Sequence, residues 1–162
     1  MSIRSGIGYD SHRFAAGRPL RLGGVTVPHT HGLVGHSDGD VVLHAIVDAL
    51  LGAAALGDIG SYFPDDDPQW KGVDSLRFVK GAVEALAGGG LAVNQVDVTV
   101  IAERPKLAAH IGAMRAATAR ALGVSMELVS IKAKTNEGMG WVGRGEGIGA
   151  IAVATVRPAG TG

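Results

Sequence analysis

Cysteine is absent from the 162 residues of the chain, which excludes disulfides, thiolate metal ligands and a cysteine nucleophile. The absence is compatible with a reducing compartment. Charge is also scarce, because charged residues make up 19% of the chain and 15 basic side chains balance 15 acidic ones. Such a chain lacks the positive field that holds nucleic acid or an anionic membrane. Any anionic ligand must therefore be bound by local groups.

Long hydrophobic runs are missing as well. The segment "MSIRSGIGYD" lacks the apolar core of a signal peptide, and Asp, His and Gly interrupt the longest apolar stretches. We therefore expect a cytoplasmic protein without a membrane-spanning segment. The length suits a single domain, residues 1–162. A hydrophobic share of 46% beside so little charge indicates that a partner subunit covers part of the surface.

The spacing of apolar residues predicts an α+β fold. We expect strands at 2–10, 94–102, 128–135 and 148–156, a strand or hairpin at 19–27, and helices at 41–56, 74–87 and 106–122. Asp38 or Asp40 is a candidate cap for the first helix. This order predicts a two-layer sandwich, in which a mixed or antiparallel sheet carries helices on one face. The other sheet face needs cover, so we expect an oligomer.

Two polar clusters interrupt this apolar pattern, "GYDSHRF" at residues 8–14 and "HSDGDVVLHAIVDALLGAAALGDIG" from residue 36. In an extended segment, Asp10 and His12 point to the same side, and His44 on a helix can approach them. One carboxylate and two imidazoles are good zinc ligands and leave a fourth position open. Asp40 or Asp48, which share a helix face with His44, is a candidate to orient its ring.

A plainer interpretation of these clusters is also open. Asp10 can be a turn residue, and His12 and His44 ordinary polar positions, because an Asp-x-His pair is by itself a weak motif. The remaining histidines give no second metal signal. His29 and His31 are better explained as loop residues, and His110 as a surface position on an Ala-rich helix.

Two further segments are candidates for binding phosphate. The glycines of "TNEGMGWVGRGEG" can present backbone N–H groups to an anion, with charge from Lys134 and Arg144. The segment matches neither a Walker motif nor a dinucleotide fingerprint, and a flexible surface loop or tight turns explain it equally well. In "AERPKLAAHI", a turn at Pro105 can offer backbone groups to a base, and Lys106 can reach a phosphate. Simple helix initiation by proline is the alternative.

Taken together, these segments resemble the 2-C-methyl-D-erythritol 2,4-cyclodiphosphate synthases. The resemblance runs from "GIGYDSHRF" to "GRGEGIGAIAV", and the block from residue 36 followed by "FPDDDP" is specific to that family. It implies a phosphorus–oxygen lyase of non-mevalonate isoprenoid biosynthesis, a homotrimer with active sites at subunit interfaces. The implied substrate is 4-diphosphocytidyl-2-C-methyl-D-erythritol 2-phosphate. Its 2-phosphate attacks the β-phosphorus, which forms the cyclic diphosphate and releases CMP.

The resemblance also implies roles for individual residues. Asp10, His12 and His44 would bind zinc or another divalent metal, with a substrate phosphate oxygen as the fourth ligand. His36 and Thr135 would stabilise the transition state, and Glu137 would bind Mg²⁺ or Mn²⁺ between the α- and β-phosphates. Other implied substrate contacts are Ser37, Asp58, Ile59, Gly60, Phe63, Pro64, Asp65, Asp66, Asp67, Ala102, Lys106, Leu107, Ala108, Lys134, Asn136, Trp141 and Arg144. Residues 63–67 would form a closing loop, and residues 102–108 the cytosine and diphosphate pocket.

This chain departs from the family pattern in one segment. Lys134 and Asn136 stand where some members carry threonine. Trp141 keeps the aromatic character of its position, which is often Phe in the family. Two rival functions fit parts of the sequence. A mononuclear iron oxygenase also uses two histidines and a carboxylate, usually on a barrel with more strands. A non-enzymatic oligomeric binding protein would use the Gly and Ala content for subunit packing.

Overall fold

The strands and helices lie in a computed structural model that describes residues 2–160. The strands are β1 (Arg4–Ala16), β2 (Leu20–Leu22), β3 (Val25–Val27), β4 (His31–Leu33), β5 (Leu91–Ile101), β6 (Val129–Lys134) and β7 (Gly147–Pro158). The helices are α1 (Val41–Ala53), α2 (Ile59–Tyr62), α3 (Leu76–Gly88), α4 (Ile111–Leu122) and α5 (Gly140–Gly143). Short 3₁₀ turns lie at Pro68–Trp70, Ala108–His110 and Met126–Leu128.

Five of the strands form one mixed sheet in the order β4-β1-β7-β5-β6. Among the strand pairs of residues 2–160, only β5–β6 is parallel, while β2 and β3 form a separate antiparallel hairpin. Helices α1, α3 and α4 pack on this sheet, α1 against β1 and β7, α3 against β5, and α4 against β6. The predicted α+β class with a mixed sheet is therefore confirmed.

Several predicted boundaries were wrong, and each error has a local cause. Strand β1 continues to Ala16, because its polar residues stay in register with β7 and then β4. Strand β4, three residues long, is too short to give a periodic signal. Helix α4 begins only at Ile111, since the preceding residues form a 3₁₀ turn. The glycine-rich segment predicted as a loop contains the short helix α5.

Glycines in β1 allow α1 to lie directly against the sheet. A Cβ atom built on Gly8 would lie 1.9 Å from the carbonyl oxygen of Ala45, and one on Gly6 would lie 2.2 Å from that of Ala49. These distances are far below van der Waals contact, so only glycine fits at either position. Because α1 lies so close to the sheet, it is buried on almost every side, and its sequence is therefore apolar nearly throughout.

The start of α1 is fixed by Asp40, one of the two predicted caps. The Asp40 carboxylate is fully buried and accepts hydrogen bonds from the backbone N–H groups of Gly23, Gly24 and Leu43 at 2.8–3.1 Å. Burial raises the pKa of Asp40, and these backbone hydrogen bonds oppose that effect. The carboxylate thus ties the β2–β3 turn to the first turn of α1.

The face of the sheet opposite the helices carries an exposed apolar patch. Ile7 pairs with Val153 and Tyr9 with Ile151 across the β1–β7 ladder. These side chains are 37–70% exposed, although they lie at the centre of the sheet. Large apolar side chains that lie next to one another on a surface are typical of interaction surfaces. Within residues 2–160, no helix combines the length and apolar character needed to cross a bilayer.

Substituting Gly8 tests the close packing of α1 on β1. We expect Gly8→Ala to lower the free energy of unfolding by about 3 kcal/mol, because the new methyl group overlaps backbone that cannot move aside. Chemical denaturation measures this change. Gly112→Ala is the matched control, since a Cβ at Gly112 meets nothing within 4 Å and the residue lies in α4. There alanine should add up to about 1 kcal/mol. Equal effects of the two substitutions would contradict this account of the packing.

Candidate metal centre and adjoining cleft

Strand β1 and helix α1 bring three potential metal ligands together. Asp10 and His12 lie on the same face of β1, and His44 faces them from the first turns of α1. The Nε2 atom of His12 is 2.8 Å from Oδ2 of Asp10, and Nδ1 of His44 is 3.1 Å from the same oxygen. The two ring nitrogens are 3.2 Å apart. Within residues 2–160, these are the residues whose ligand atoms cluster tightly enough to hold a metal ion.

Backbone contact determines which nitrogen of His12 faces the cluster. Nδ1 of His12 lies within hydrogen-bonding distance of the carbonyl oxygen of Val34, which can only accept. The proton therefore sits on Nδ1, and Nε2 presents a lone pair to Asp10 and His44. Val34 lies just past the end of β4, and its N–H donates to the carbonyl of Arg13, which holds Val34 beside β1 and near His12.

Hydroxyl groups orient His44 on its other side. Nε2 of His44 is 2.9 Å from Oγ of Ser75 and 3.1 Å from Oγ of Ser37. The prediction that Asp40 or Asp48 orients this ring was wrong. Asp40 instead caps α1, and Asp48 accepts a hydrogen bond from Ile59 N–H at 2.8 Å. Both carboxylates are used by backbone groups, so neither side chain reaches the imidazole.

The charge distribution of the cluster favours a cation at its centre. Although burial alone would raise the pKa of Asp10, hydrogen bonds and charge interactions with His12 and His44 lower it to about 2. Burial likewise opposes the charged form of His12, but the hydrogen bond and charge of Asp10 outweigh it and raise the pKa of His12. Two imidazole nitrogens and a carboxylate oxygen thus converge on one point, where a proton or a metal ion can bridge them.

The spacing of these atoms fits a tetrahedral metal ion. Zinc bonds of about 2.0–2.2 Å to nitrogen and oxygen place neighbouring ligand atoms roughly 3.3–3.5 Å apart. The observed separations of 2.8, 3.1 and 3.2 Å need only a slight outward adjustment. Three protein ligands leave one position open on the side of the adjoining cleft. The donor set suits zinc and other divalent metals.

A cleft of about 210 Å³ adjoins the cluster. Its polar wall contains the predicted residues His36 and Ser37, and Nε2 of His36 is 3.2 Å from the carbonyl oxygen of Asp67. Its other predicted lining residues are Ile59, Gly60, Phe63 and Asp65. Asp58 lies at the start of α2, where it caps Ser61 N–H at 2.9 Å. Pro64, Asp66 and Asp67 belong to the same loop but do not line the cleft.

A second cavity of about 310 Å³ lies at the ends of β5 and β6 and contains the predicted residues Ala102, Lys106, Leu107, Ala108, Lys134 and Thr135. It shares no lining residue with the first cleft. Asp10 pairs with Ala150, Ala150 with Val100, and Val100 with Ala133. Three strand spacings, about 14 Å, therefore separate Asp10 from the second cavity. Within one chain, the cleft beside the metal cluster and the second cavity are therefore separate, although the predicted substrate site includes residues of both.

The remaining predicted residues lie in the glycine-rich segment. Glu137 has a positive φ of 52°, unusual for a residue with a side chain, and its carboxylate accepts from Oγ1 of Thr135 at 3.3 Å. Asn136 donates to the carbonyl of Met139 at 2.8 Å.

The last two predicted residues follow this turn. Trp141 lines a third cavity together with His12. Nε of Arg144 donates to the carboxylate of Glu146 at 2.6 Å.

Sequence reasoning missed several residues around the metal cluster. Ser75 and Asp38 belong to the hydrogen-bond network of His44. Phe78 and Trp70 line the cleft and pack on each other and on Phe63, with ring centroids 4.7–5.7 Å apart. A serine at a helix start and two aromatic residues carry no signal of a site, because caps and core positions use the same residue types.

The fold and site define an α+β protein with a cluster of two histidines and one carboxylate at a strand–helix contact. The model of the YgbB family matches residues 3–157, and the chain belongs to this family. The 2-C-methyl-D-erythritol 2,4-cyclodiphosphate synthase of Salinibacter ruber is 55% identical over 157 residues, which are 97% of this chain and 100% of that protein.

Solved structures give the same result. A 2C-methyl-D-erythritol-2,4-cyclodiphosphate synthase in its CDP-bound form matches with a TM-score of 0.87 and 38% identity, covering 95% of this chain and 100% of that one. The bifunctional IspDF of Campylobacter jejuni matches with a TM-score of 0.93 and 38% identity. That alignment covers 97% of this chain and 42% of the longer protein.

The five-stranded sheet differs from the barrel that is usual for a mononuclear iron oxygenase, the alternative function considered from the sequence.

Removing His44 tests the metal centre. We expect His44→Ala to fold but to bind zinc at least 100-fold more weakly, because it removes one of three ligands. Competition with a chromophoric chelator measures the affinity, and circular dichroism checks the fold. His29→Ala is the control, since His29 is exposed and lies outside the cluster. Unchanged zinc affinity in His44→Ala would contradict the assignment.

Proposed function

We propose that this chain uses the metal cluster and its adjoining cleft to make 2-C-methyl-D-erythritol 2,4-cyclodiphosphate, the product for which its relatives are named. The chain is an enzyme, a phosphorus–oxygen lyase of the non-mevalonate isoprenoid pathway. The observation that carries this conclusion is 55% identity across essentially the whole chain. In the reaction, a 2-phosphate oxygen of 4-diphosphocytidyl-2-C-methyl-D-erythritol 2-phosphate bonds to the β-phosphorus. The bond from that phosphorus to the α-phosphate oxygen breaks, and CMP leaves.

Asp10, His12 and His44 would hold zinc or a similar divalent metal. Bound there, the metal would polarise a phosphate oxygen of the substrate and neutralise charge as the bond to CMP loosens. Glu137 is the residue that we assign to a Mg²⁺ or Mn²⁺ ion carried with the diphosphate. Its carboxylate is exposed at a backbone turn, so it can reach an ion that arrives with the substrate.

The chain needs no nucleophilic side chain, because the substrate supplies both reacting groups. Its main task is to hold the 2-phosphate against the β-phosphate, and such positioning contributes about 7–11 kcal/mol in favourable cases. His36 and Ser37 border the cleft next to the metal ligands, where they can donate to the attacking phosphate. The bond between His36 and the Asp67 carbonyl keeps the imidazole at this wall.

The start of α2 would bind the methylerythritol part of the substrate. Asp58, Ile59 and Gly60 lie there, and the hydrogen bond from Ile59 N–H to Asp48 anchors this helix start to α1. Residues 63–67 follow as the segment that we propose to close over the substrate. Closure would exclude water, which would otherwise compete with the 2-phosphate for the β-phosphorus.

The cavity at the ends of β5 and β6 would take the cytidine diphosphate part. Lys106 and Lys134 supply positive charge there, and the small side chains of Ala102 and Ala108 leave room for a flat base. Thr135 borders the same cavity and would act with His36 on the transition state. Asn136, Trp141 and Arg144 belong to the following segment and complete the proposed phosphate contacts.

A homotrimer would join the two halves of the site. The cluster and the second cavity are about 14 Å apart in one chain by strand spacing, so a neighbouring subunit can supply the second half more directly. The exposed patch of Ile7, Tyr9, Ile151 and Val153 is the surface that we propose for this contact. We propose the cytoplasm as the location, since the substrate is a soluble phosphorylated intermediate. We expect neither nucleic acid nor a membrane as a partner.

A product assay tests the proposed reaction. Purified protein is incubated with the diphosphocytidyl substrate and Mg²⁺, with and without a zinc chelator, and followed by phosphorus NMR. We expect CMP and a cyclic diphosphate in equal amounts, both lost on chelation. An open-chain diphosphate instead would mean that water is the nucleophile. Absence of turnover in the zinc-loaded protein would favour the binding-protein alternative.

The proposed subunit contact is tested with Ile7→Asp. A charge within the apolar patch should convert the trimer into monomers, because burying an unpaired carboxylate is costly. Sedimentation velocity measures the assembly state. Leu128→Asp is the control, since Leu128 is also exposed but lies away from this patch. A wild-type monomer, or a trimer that survives Ile7→Asp, would contradict the proposed interface.

A further inference from the structure

The residue at the start of α3 is used in an unusual way. Ser75 occupies the N-cap position, where a serine hydroxyl normally accepts a hydrogen bond from the helix backbone. Ser75 makes no such bond and is fully buried. Asp74 provides the cap instead, since its carboxylate accepts from Leu76 N–H at 2.9 Å. The Ser75 hydroxyl is thus free for another partner.

That hydroxyl lies between a carboxylate and the ring of His44. Its proton is donated to Oδ1 of Asp38, because a carboxylate can only accept. With its one proton used, the Ser75 oxygen must accept from Nε2–H of His44, which is 2.9 Å away. Nε2 of His44 therefore carries a proton, and Nδ1, which faces Asp10 and His12, is the nitrogen left to bind a metal ion.

The Asp38 carboxylate is itself held in place. Its oxygens accept from the backbone N–H groups of Ser75 and Asp40, both at 3.1 Å. Nε of Arg21 lies 3.7 Å from Oδ2. All of these neighbours are donors, so the carboxylate has one stable orientation. The direction of the Ser75 hydroxyl is therefore determined by a rigid acceptor.

We infer that Asp38 and Ser75 are positioning residues for His44: the carboxylate orients the hydroxyl, and the hydroxyl holds the imidazole in the tautomer that can bind a metal. The inference rests on the proposed metal centre. Groups that hold the distal nitrogen of a metal-binding histidine typically contribute 10- to 100-fold to metal affinity. Ser37 also lies near Nε2 of His44 but lacks a carboxylate partner, so it can replace Ser75 only in part.

Two substitutions interrupt this arrangement differently. Ser75→Ala removes the acceptor, and we expect zinc affinity to fall 10- to 100-fold. Asp38→Asn replaces one oxygen by an NH₂ group, and the Ser75 hydroxyl is the one neighbour whose hydrogen bond can reverse. The amide would then donate to Ser75, and Ser75 would donate to Nε2 of His44. We expect Asp38→Asn to shift His44 towards the Nδ1-protonated tautomer and to weaken zinc binding at least tenfold.

The experiment combines two measurements on the full chain. Competition with a chromophoric chelator gives the zinc affinity. Nitrogen NMR of ring-labelled histidine in the metal-free protein gives the tautomer of His44, and only 6 histidines must be assigned. Asp74→Asn is the matched control, because Asp74 caps the same helix and pairs with Arg21 but makes no contact with His44. Its affinity should stay within twofold of wild type.

The outcomes separate this inference from the proposed function. Weaker zinc binding in both variants, a changed tautomer in Asp38→Asn and an unchanged Asp74→Asn would support the positioning role. Affinity within twofold of wild type in Ser75→Ala, or an equal loss in Asp74→Asn, would overturn it. If Ser75→Ala does not fold, Asp38→Asn decides alone. If wild type binds no zinc, the metal centre fails, and the tautomers of the metal-free proteins decide the positioning role.

Discussion

The contact between β1 and α1 is the constraint on which the rest of the structure depends. Two glycines in the strand let the carbonyl groups of Ala45 and Ala49 approach to distances that exclude any side chain. Because the helix lies so close, His44 reaches Asp10 and His12, which continue the same strand face. Packing and chemistry are therefore coupled, since a larger strand–helix separation would pull the third ligand away.

Around this contact, three aspartate side chains form hydrogen bonds that hold other segments of the chain in place. Asp40 ties α1 to the β2–β3 turn, Asp48 holds the loop that begins at Asp58, and Asp38 orients Ser75. Three of the aspartates in one short stretch of sequence thus serve three different backbone segments. The polar network is costly to bury, and it is stable because nearly every donor meets an acceptor. What it provides is a precise arrangement of two imidazoles and a carboxylate.

Two surface features of the chain concern its proposed contact with a second copy: the exposed apolar face of the sheet and the distance between the metal cluster and the second cavity. One sheet face packs on the helices, while the other presents Ile7, Tyr9, Ile151 and Val153 to solvent. The second cavity lies at the ends of β5 and β6, three strand spacings from the metal cluster. Both features have one explanation if a second copy of the chain covers the apolar face and brings its own cavity to the cluster.

The sequence by itself determined the α+β class, the main helices and the three candidate ligands. Periodicity reports which side of an element is apolar, and Asp-x-His on a strand places two side chains on one face. It did not determine that Asp48 holds a loop, that Ser75 contacts His44, or that the two cavities are separate. Those facts depend on contacts between residues far apart in the chain, such as Asp38 with Ser75. Only the tertiary structure decides them, because a serine or an aspartate has the same local pattern whether it caps a helix or orients a ligand.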